Sequence, residues 1–219
     1  MSEGTRERIN AGTGDPDDPK HEMRAAIRGR LRAIKPLARD HRARRLAATV
    51  LRSPPLAGAR LVLAYRAMSD EINVDEIVRA LAFRGIRVAF PMVRDDGSMQ
   101  LLEIAAADPL ASEHWVTDRF GIAAPDPDAP SARRVLPREI DAVIVPARAF
   151  DARGARLGRG KGYYDQLLGR LRPDVRRATI GVCFREQLVD SIAEGPLDRR
   201  VAFVAVEGRL LRSARTDRA

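Results

Sequence analysis

The segment Gly154–Gln166 (GARLGRGKGYYDQ) holds four glycines, three cations (Arg156, Arg159 and Lys161) and two adjacent tyrosines. Glycines let a backbone approach a ligand closely, and free backbone amides beside cationic side chains favour an anion. A turn alone needs one or two glycines, so the combination points to phosphate. The segment follows an apolar run, IDAVIVPA (140–147), and leads into GYYDQLLGRL, a helical pattern. A loop between a strand and a helix lies where α/β sheets bind ligands, and the helix N-terminus adds a positive dipole. The two common phosphate motifs are absent. For G-x-x-x-x-G-K-[ST], Ala155 stands at the first glycine and Gly162 follows Lys161; for G-x-G-x-x-G, the loop instead runs G-x-G-x-G from Gly158 to Gly162.

Asp165 opens the helix four residues after Lys161. A carboxylate there suits a hard cation that shares phosphate oxygens, or a complement to the helix dipole. Tyr163 and Tyr164 are two of only three tyrosines in the chain. They are suited to stacking on a flat heterocycle, or to core packing.

Other elements must position this loop. Met23, Ile27, Leu31 and Ile34 recur at helical spacing, with arginines on the opposite face, and Pro36 ends that helix. A second helix follows over ARDHRARRLAATVL, then a turn at SPPLAG. RLVLAY (60–65), IRVAFP (86–91) and MQLLEI (99–104) read as strands. Between the first two, NVDEIVRALAFRG reads as a helix with Asn73 as N-cap, Glu76 three residues on and Gly85 as C-cap. Residues 105–136 are proline-rich and read as loop. RATIGVCF, REQLV and RVAFVAVE add a strand, a short helix or turn, and a last strand. Strands alternating with helices predict an α/β fold: a three-layer, open, largely parallel, Rossmann-like twisted sheet with basic N-terminal helices. The expected organisation is a disordered tail over 1–18, one α/β domain over 19–209 and a C-terminal tail over 210–219.

The 219 residues carry a formal charge of +9. From Lys20 to Arg52 there are 11 Lys/Arg against 2 Asp/Glu, and the remaining 28 bases and 28 acids cancel. The excess thus sits on the N-terminal helices, either as a solvated face or as a field for an anionic partner. A nucleic-acid module is one alternative, but the basic segment lacks aromatics for base stacking. Lysine occurs only at positions 20, 35 and 161, against 36 arginines. The single cysteine, Cys183, permits no internal disulfide and reads as a core residue in a strand. The three histidines are too scattered for a metal site. No apolar run approaches the ~18 residues of a membrane span, and the N-terminus has no apolar stretch of a secretory signal. A cytoplasmic, monomeric protein acting on small molecules is expected, with neither membrane nor nucleic-acid partners.

The pattern FDxxGxRLGxGxGYYDxxL, from Phe150 to Leu168, after Asp141-x-x-x-x-Pro146, resembles the 5-formyltetrahydrofolate cyclo-ligase family, also called methenyltetrahydrofolate synthetases. Lys20-x-x-x-Arg24, Met68-x-x-Glu71-Ile72, Pro91, Gly181-x-x-Phe184-x-x-Gln187 and Asp198 match in the same order, so the resemblance covers about residues 20–207. Two departures stand out. Members often carry G-[IV]-x-E-P where this chain has Gly121-Ile122-Ala123-Ala124-Pro125. Many have Thr shortly after the Glu-Ile pair, where this chain has Asn73 and Val74.

The resemblance implies ATP- and Mg²⁺-dependent closure of 5-formyltetrahydrofolate to 5,10-methenyltetrahydrofolate. A divergent relative acting on another formyl or amide compound is the alternative. It further implies that Lys20, Arg24 and the run Arg156, Leu157, Gly158, Arg159, Gly160, Lys161, Gly162, Tyr163 and Tyr164 meet ATP. Lys161 and Arg159 would stabilise the transferring charge, with Tyr163 near the formyl group. Asp165 and Asp198 would hold Mg²⁺. Arg66, Met68, Glu71, Trp115 and Tyr163 would contact the folate.

Overall fold

The computed structural model describes residues 19–117 and 122–213. The expected N-terminal tail, and the glycine of the Gly121–Pro125 stretch, lie outside them.

Helices α1 (Pro19–Arg32) and α2 (Pro36–Leu51) come first, with Pro36 as the first residue of α2. That position suits proline, because its missing N–H would have no helical partner. Then follow β1 (Leu61–Leu63), α3 (Asp75–Phe83), β2 (Arg87–Val93) and β3 (Met99–Ile104). The middle region holds β4 (Trp115–Thr117), β5 (Ala123–Pro125) and β6 (Ala132–Val135). After it come β7 (Ala142–Val145), β8 (Ala149–Asp151), β9 (Arg156–Leu157), α4 (Tyr163–Arg170), α5 (Pro173–Arg176), β10 (Thr179–Cys183), β11 (Leu188–Val189), β12 (Phe203–Val206) and β13 (Arg209–Arg212).

The main sheet has eight strands in the order β13-β12-β10-β7-β1-β2-β3-β6. The five from β12 to β2 are parallel, while β13, β3 and β6 are antiparallel at the two edges. The central strands β1, β7 and β10 are buried at every residue, as expected of strands covered on both faces. Alternation then sorts their side chains. Val62, Ile144 and Val182 join the core under α1, α2 and α3, whereas Leu61, Leu63, Val143 and Val145 join the core under α4 and α5. This is the expected three-layer, largely parallel α/β fold.

Three details differ from the sequence reading. α3 starts at Asp75 with Val74 as N-cap; Asn73 lies one residue earlier, where its Oδ1 accepts the Asp75 N–H at 2.7 Å. The proline-rich region contains β6, which pairs with β3 in the main sheet. β13 turns back on β12 through Gly208, so ordered structure extends past 209 through Arg212 into the expected tail.

Among the parallel strands, the order across the sheet is β2-β1-β7-β10-β12, so the direction of succession reverses between β1 and β7. Segments leaving the carboxyl ends of these two neighbours must diverge, which opens a crevice there. Residues 64–74 follow β1 and residues 146–162 follow β7. Asp141 fixes the other end of the pair, its Oδ2 accepting the N–H groups of Arg60 (2.8 Å) and Leu61 (3.0 Å).

Candidate active site

The glycine loop is built on a small second sheet, β11-β8-β9. Asp151, wholly buried, folds its turn: Oδ1 accepts the N–H groups of Arg153 (2.9 Å) and Ala155 (3.0 Å), and Oδ2 accepts that of Ile192 (3.2 Å). Gly154 has φ +81°, and a Cβ there would lie 2.2 Å from the Val201 carbonyl oxygen, so no other residue fits. Gln187 ties the base of the loop, accepting the Phe184 N–H and donating to the carbonyls of Ala147 and Arg148. Gly160 and Gly162 take positive φ, and Gly162 is the N-cap of α4. Leu157 is buried and anchors the strand from which Gly158–Gly162 extends.

α1 lies along this loop. Arg24 Nε donates to the Gly158 carbonyl at 3.0 Å, and Lys20 Nζ meets Asp198 Oδ2 at 2.7 Å. Asp198 also accepts the Gly195 N–H at 2.8 Å. Burial pushes its carboxyl pKa up, but the bond and charge of Lys20 outweigh burial and hold it below the ordinary value. The Arg156 guanidinium is buried, pairs with Asp165 Oδ1 at 2.7 Å and stacks over Tyr164 at 5.8 Å. Asp165 Oδ1 in turn accepts the N–H of Arg199, next in sequence to Asp198. The two aspartates, 33 positions apart in sequence, thus belong to one cluster with Lys20 and Arg156.

That donor set fits Mg²⁺, which commonly takes one or two carboxylates and completes its shell with phosphate oxygens and water. Among the described residues no group of three or more His, Cys, Asp or Glu could hold a metal. Each aspartate already faces a cation that an incoming metal would have to displace. Arg156 Nε and Tyr164 Oη are buried without hydrogen-bond partners among the described residues.

On the β1 side, Tyr65 donates its O–H to the Ile72 carbonyl at 2.8 Å and closes residues 65–72 into a compact loop. Glu71 Oε2 accepts the Met68 N–H at 3.1 Å. Its other oxygen meets Arg159 Nε at 3.1 Å, across the crevice between the β1 and β7 segments. Asp70, beside it, pairs with both Arg159 and Arg148. A cavity of about 250 Å³ opens beside Met68 and Glu71, reaching Arg39 and Asp40 of α2. Arg66 stacks over Trp115 at 5.1 Å and pairs with Asp75 at 3.5 Å. Trp115 packs edge-on against the buried Phe90, and its Nε1 donates to the Pro109 carbonyl. Tyr163 lines a second cavity of about 430 Å³, with Gln166, Leu167 and Arg170 of α4 facing Asp96–Leu101 and Arg134–Pro137.

The expected residues therefore gather as a loop-side cluster (Lys20, Arg24, Arg156, Asp165, Asp198) and a β1-side cluster (Met68, Glu71), bridged by Arg159. Arg66 and Trp115 form a separate stacked pair. Lys161 is exposed and makes no hydrogen bond or ion pair with a described residue. Two residues were missed, Asp70 and Arg148. The sequence held a faint signal for each: an acid next to Glu71, and an arginine inside the apolar run PARAF.

The model of the 5-formyltetrahydrofolate cyclo-ligase family matches residues 17–207. The chain belongs to this family. It is accordingly an enzyme of the cyclo-ligase type. A protein named 5-formyltetrahydrofolate cyclo-ligase from Mycolicibacterium smegmatis is 30% identical over 198 residues, covering 87% of this chain and 94% of the relative. One of the same name from Mus musculus is 25% identical over 191 residues, 86% of this chain and 93% of the relative. The solved 5,10-methenyltetrahydrofolate synthetase of Aquifex aeolicus shares the fold with a TM-score of 0.73 at 22% identity, covering 91% of this chain and 96% of that one. No helix among the described residues is long and apolar enough to cross a membrane.

Proposed function

We propose that this member of the cyclo-ligase family closes 5-formyltetrahydrofolate to 5,10-methenyltetrahydrofolate, using ATP and Mg²⁺ and releasing ADP and phosphate. The observation that carries the reading is the Arg159–Glu71 contact. It sets a cationic, glycine-rich loop directly against a pocketed carboxylate at the point where the sheet's strand order reverses.

A formamide oxygen is a poor leaving group. Transfer of the γ-phosphoryl group to that oxygen breaks the bond to ADP and makes the oxygen a phosphate ester. N10 then attacks the formyl carbon and loses its proton. The C–O bond breaks, and phosphate departs with the former formyl oxygen. Such a transfer needs positioning and charge neutralisation more than a protein nucleophile.

Lys20, Arg24 and Arg156–Tyr164 hold the triphosphate, with Lys161 and Arg159 on the transferring group. Asp165 and Asp198 hold Mg²⁺, which when bound neutralises phosphate charge. Met68 and Glu71 face the pterin, Arg66 and Trp115 flank it, and Tyr163 stands between the loop and the larger cavity. Four of the eleven bases from Lys20 to Arg52 (Lys20, Arg24, Arg39 and Arg42) turn their charge onto partners within the protein, which favours this reading over nucleic-acid binding.

Near-UV absorbance of the methenyl product tests the proposal. It should grow only when 5-formyltetrahydrofolate, ATP and Mg²⁺ are all present. ATP binding without product would reassign the chain to another formyl or amide substrate.

A further inference from the structure

Arg148 follows β7 and is locked in place. Its N–H donates to the Leu157 carbonyl at 2.8 Å, its own carbonyl accepts from Gln187, and its side chain is 8% exposed. A buried guanidinium needs a counter-charge, and the carboxylate it reaches is Asp70, 78 residues earlier in the chain. Arg148 takes Asp70 Oδ2, and Arg159 takes Oδ1. Arg159 uses its Nε for Glu71. One rigid arginine thus fixes Asp70, and Asp70 with Glu71 fixes an arginine on the exposed glycine loop. Burial pushes the Asp70 carboxyl pKa up, but the two guanidiniums overcome this and hold it below the ordinary range. Both carboxylates are committed to Arg159 before any phosphate arrives.

From this arrangement we infer that Arg159 is a cation shared between the two substrates, and that Asp70, anchored by Arg148, is the positioning residue that parks it on Glu71. The inference rests on the reading of Glu71 as a folate contact. A triphosphate on the loop competes for Arg159 and draws it off Asp70 and Glu71. Glu71 Oε1 is then released to accept hydrogen bonds from the pterin. Nucleotide therefore tightens folate binding, and by linkage folate tightens nucleotide binding by the same factor. No contact between the two ligands is needed.

Equilibrium titration of 5-formyltetrahydrofolate, with and without a non-transferable ATP analogue plus Mg²⁺, reads the coupling directly. In the wild type the analogue should tighten folate binding at least about fivefold, the lower end of usual coupling. Arg159→Ala, at an exposed position, should bind folate without nucleotide as tightly as the wild type does with it, and the analogue should add nothing further. That gain is the outcome a direct folate contact or a structural role for Arg159 would not produce. Arg148→Leu removes the anchor of Asp70 and so loosens the hold on Arg159. Nucleotide-free folate binding should tighten towards the Arg159→Ala level, and the analogue's effect should shrink. Persistent coupling in Arg159→Ala, or weaker folate binding there, overturns the inference. So does equal folate affinity with and without the analogue in a wild type that turns over. A wild type forming no methenyl product instead removes the functional reading beneath it.

Discussion

Lys161 differs from its neighbours on the loop because it is uncommitted. Arg156 and Arg159 each hold a carboxylate, and α1 presents Lys20 already paired with Asp198. On the proposed reading, a phosphate displaces those partners but meets Lys161 without exchange. Lys161→Ala should therefore lower turnover by roughly 100-fold or more, the usual loss for one preorganised donor at a charge-developing site. Steady-state rates at saturating substrates measure this, and wild-type turnover would remove Lys161 from the chemistry. Asp165→Asn keeps the side-chain shape and the acceptor for Arg199 N–H but loses the charge. The Mg²⁺ concentration for half-maximal rate should rise at least about tenfold, since even outer-shell changes cost that much in metal affinity; an unshifted titration would show that Asp165 is not a ligand. These loop residues were legible because they stand in one continuous motif. Asp70 and Arg148 were not, because an ion pair across 78 residues leaves no local spacing to read.

At the level of elements, the parallel strands were legible and the edges were not. LVL, AVIV and TIGVC are short apolar runs because both faces of each are covered. β6 (ARRV) and β13 (RLLR) sit at the sheet edges, pair on one side and carry arginines, so their patterns resemble loop or tail. β8, β9 and β11 are two or three residues each, too short for periodicity to register. They are nevertheless what supports the glycine loop, and β10 shows how tightly. A Cβ on Gly181 would lie 2.4 Å from the ring of Phe150, a wholly buried residue of β8. The ring is wholly buried and three of its carbons would lie within 3 Å of the new Cβ, so Gly181→Ala must shift the ring with β8 or β10. A destabilisation of about 1–3 kcal/mol is expected for such overpacking. Urea unfolding of the variant measures it, and an unchanged midpoint would mean β8 yields freely and does not rigidly support the loop.

At the scale of the whole molecule, carboxylate–cation pairs join segments that the sheet alone does not fasten. Asp198 holds α1 through Lys20, Asp70 holds the β1 segment to the β7 segment through Arg148 and Arg159, and Glu186 with Glu207 holds α2 through Arg42. Burial raises the pKa of Asp70 and Asp198, but their cations more than offset it. Glu186 is lowered chiefly by its hydrogen bond from Arg42. All three therefore lie lower in the folded protein than their ordinary values of 3.8 for Asp and 4.5 for Glu. A carboxylate depressed by folding contributes stability above its unfolded pKa, and that contribution is lost as pH falls through the folded one. The thermal midpoint should stay level from about pH 8 to about pH 5, then fall steadily below about pH 4 as the unfolded chain binds protons that the folded one resists. Because these side chains are partly exposed, salt near 1 M should shrink the difference between neutral and acid midpoints. Asp198→Asn should flatten part of the acid limb and weaken nucleotide binding together, since the same carboxylate docks α1 against the glycine loop. Calorimetric scans across pH at low and high salt test both statements. An acid limb that Asp198→Asn leaves untouched would mean that the hydrophobic face of α1, through Ile27 and Leu31, holds the helix without help from the ion pair.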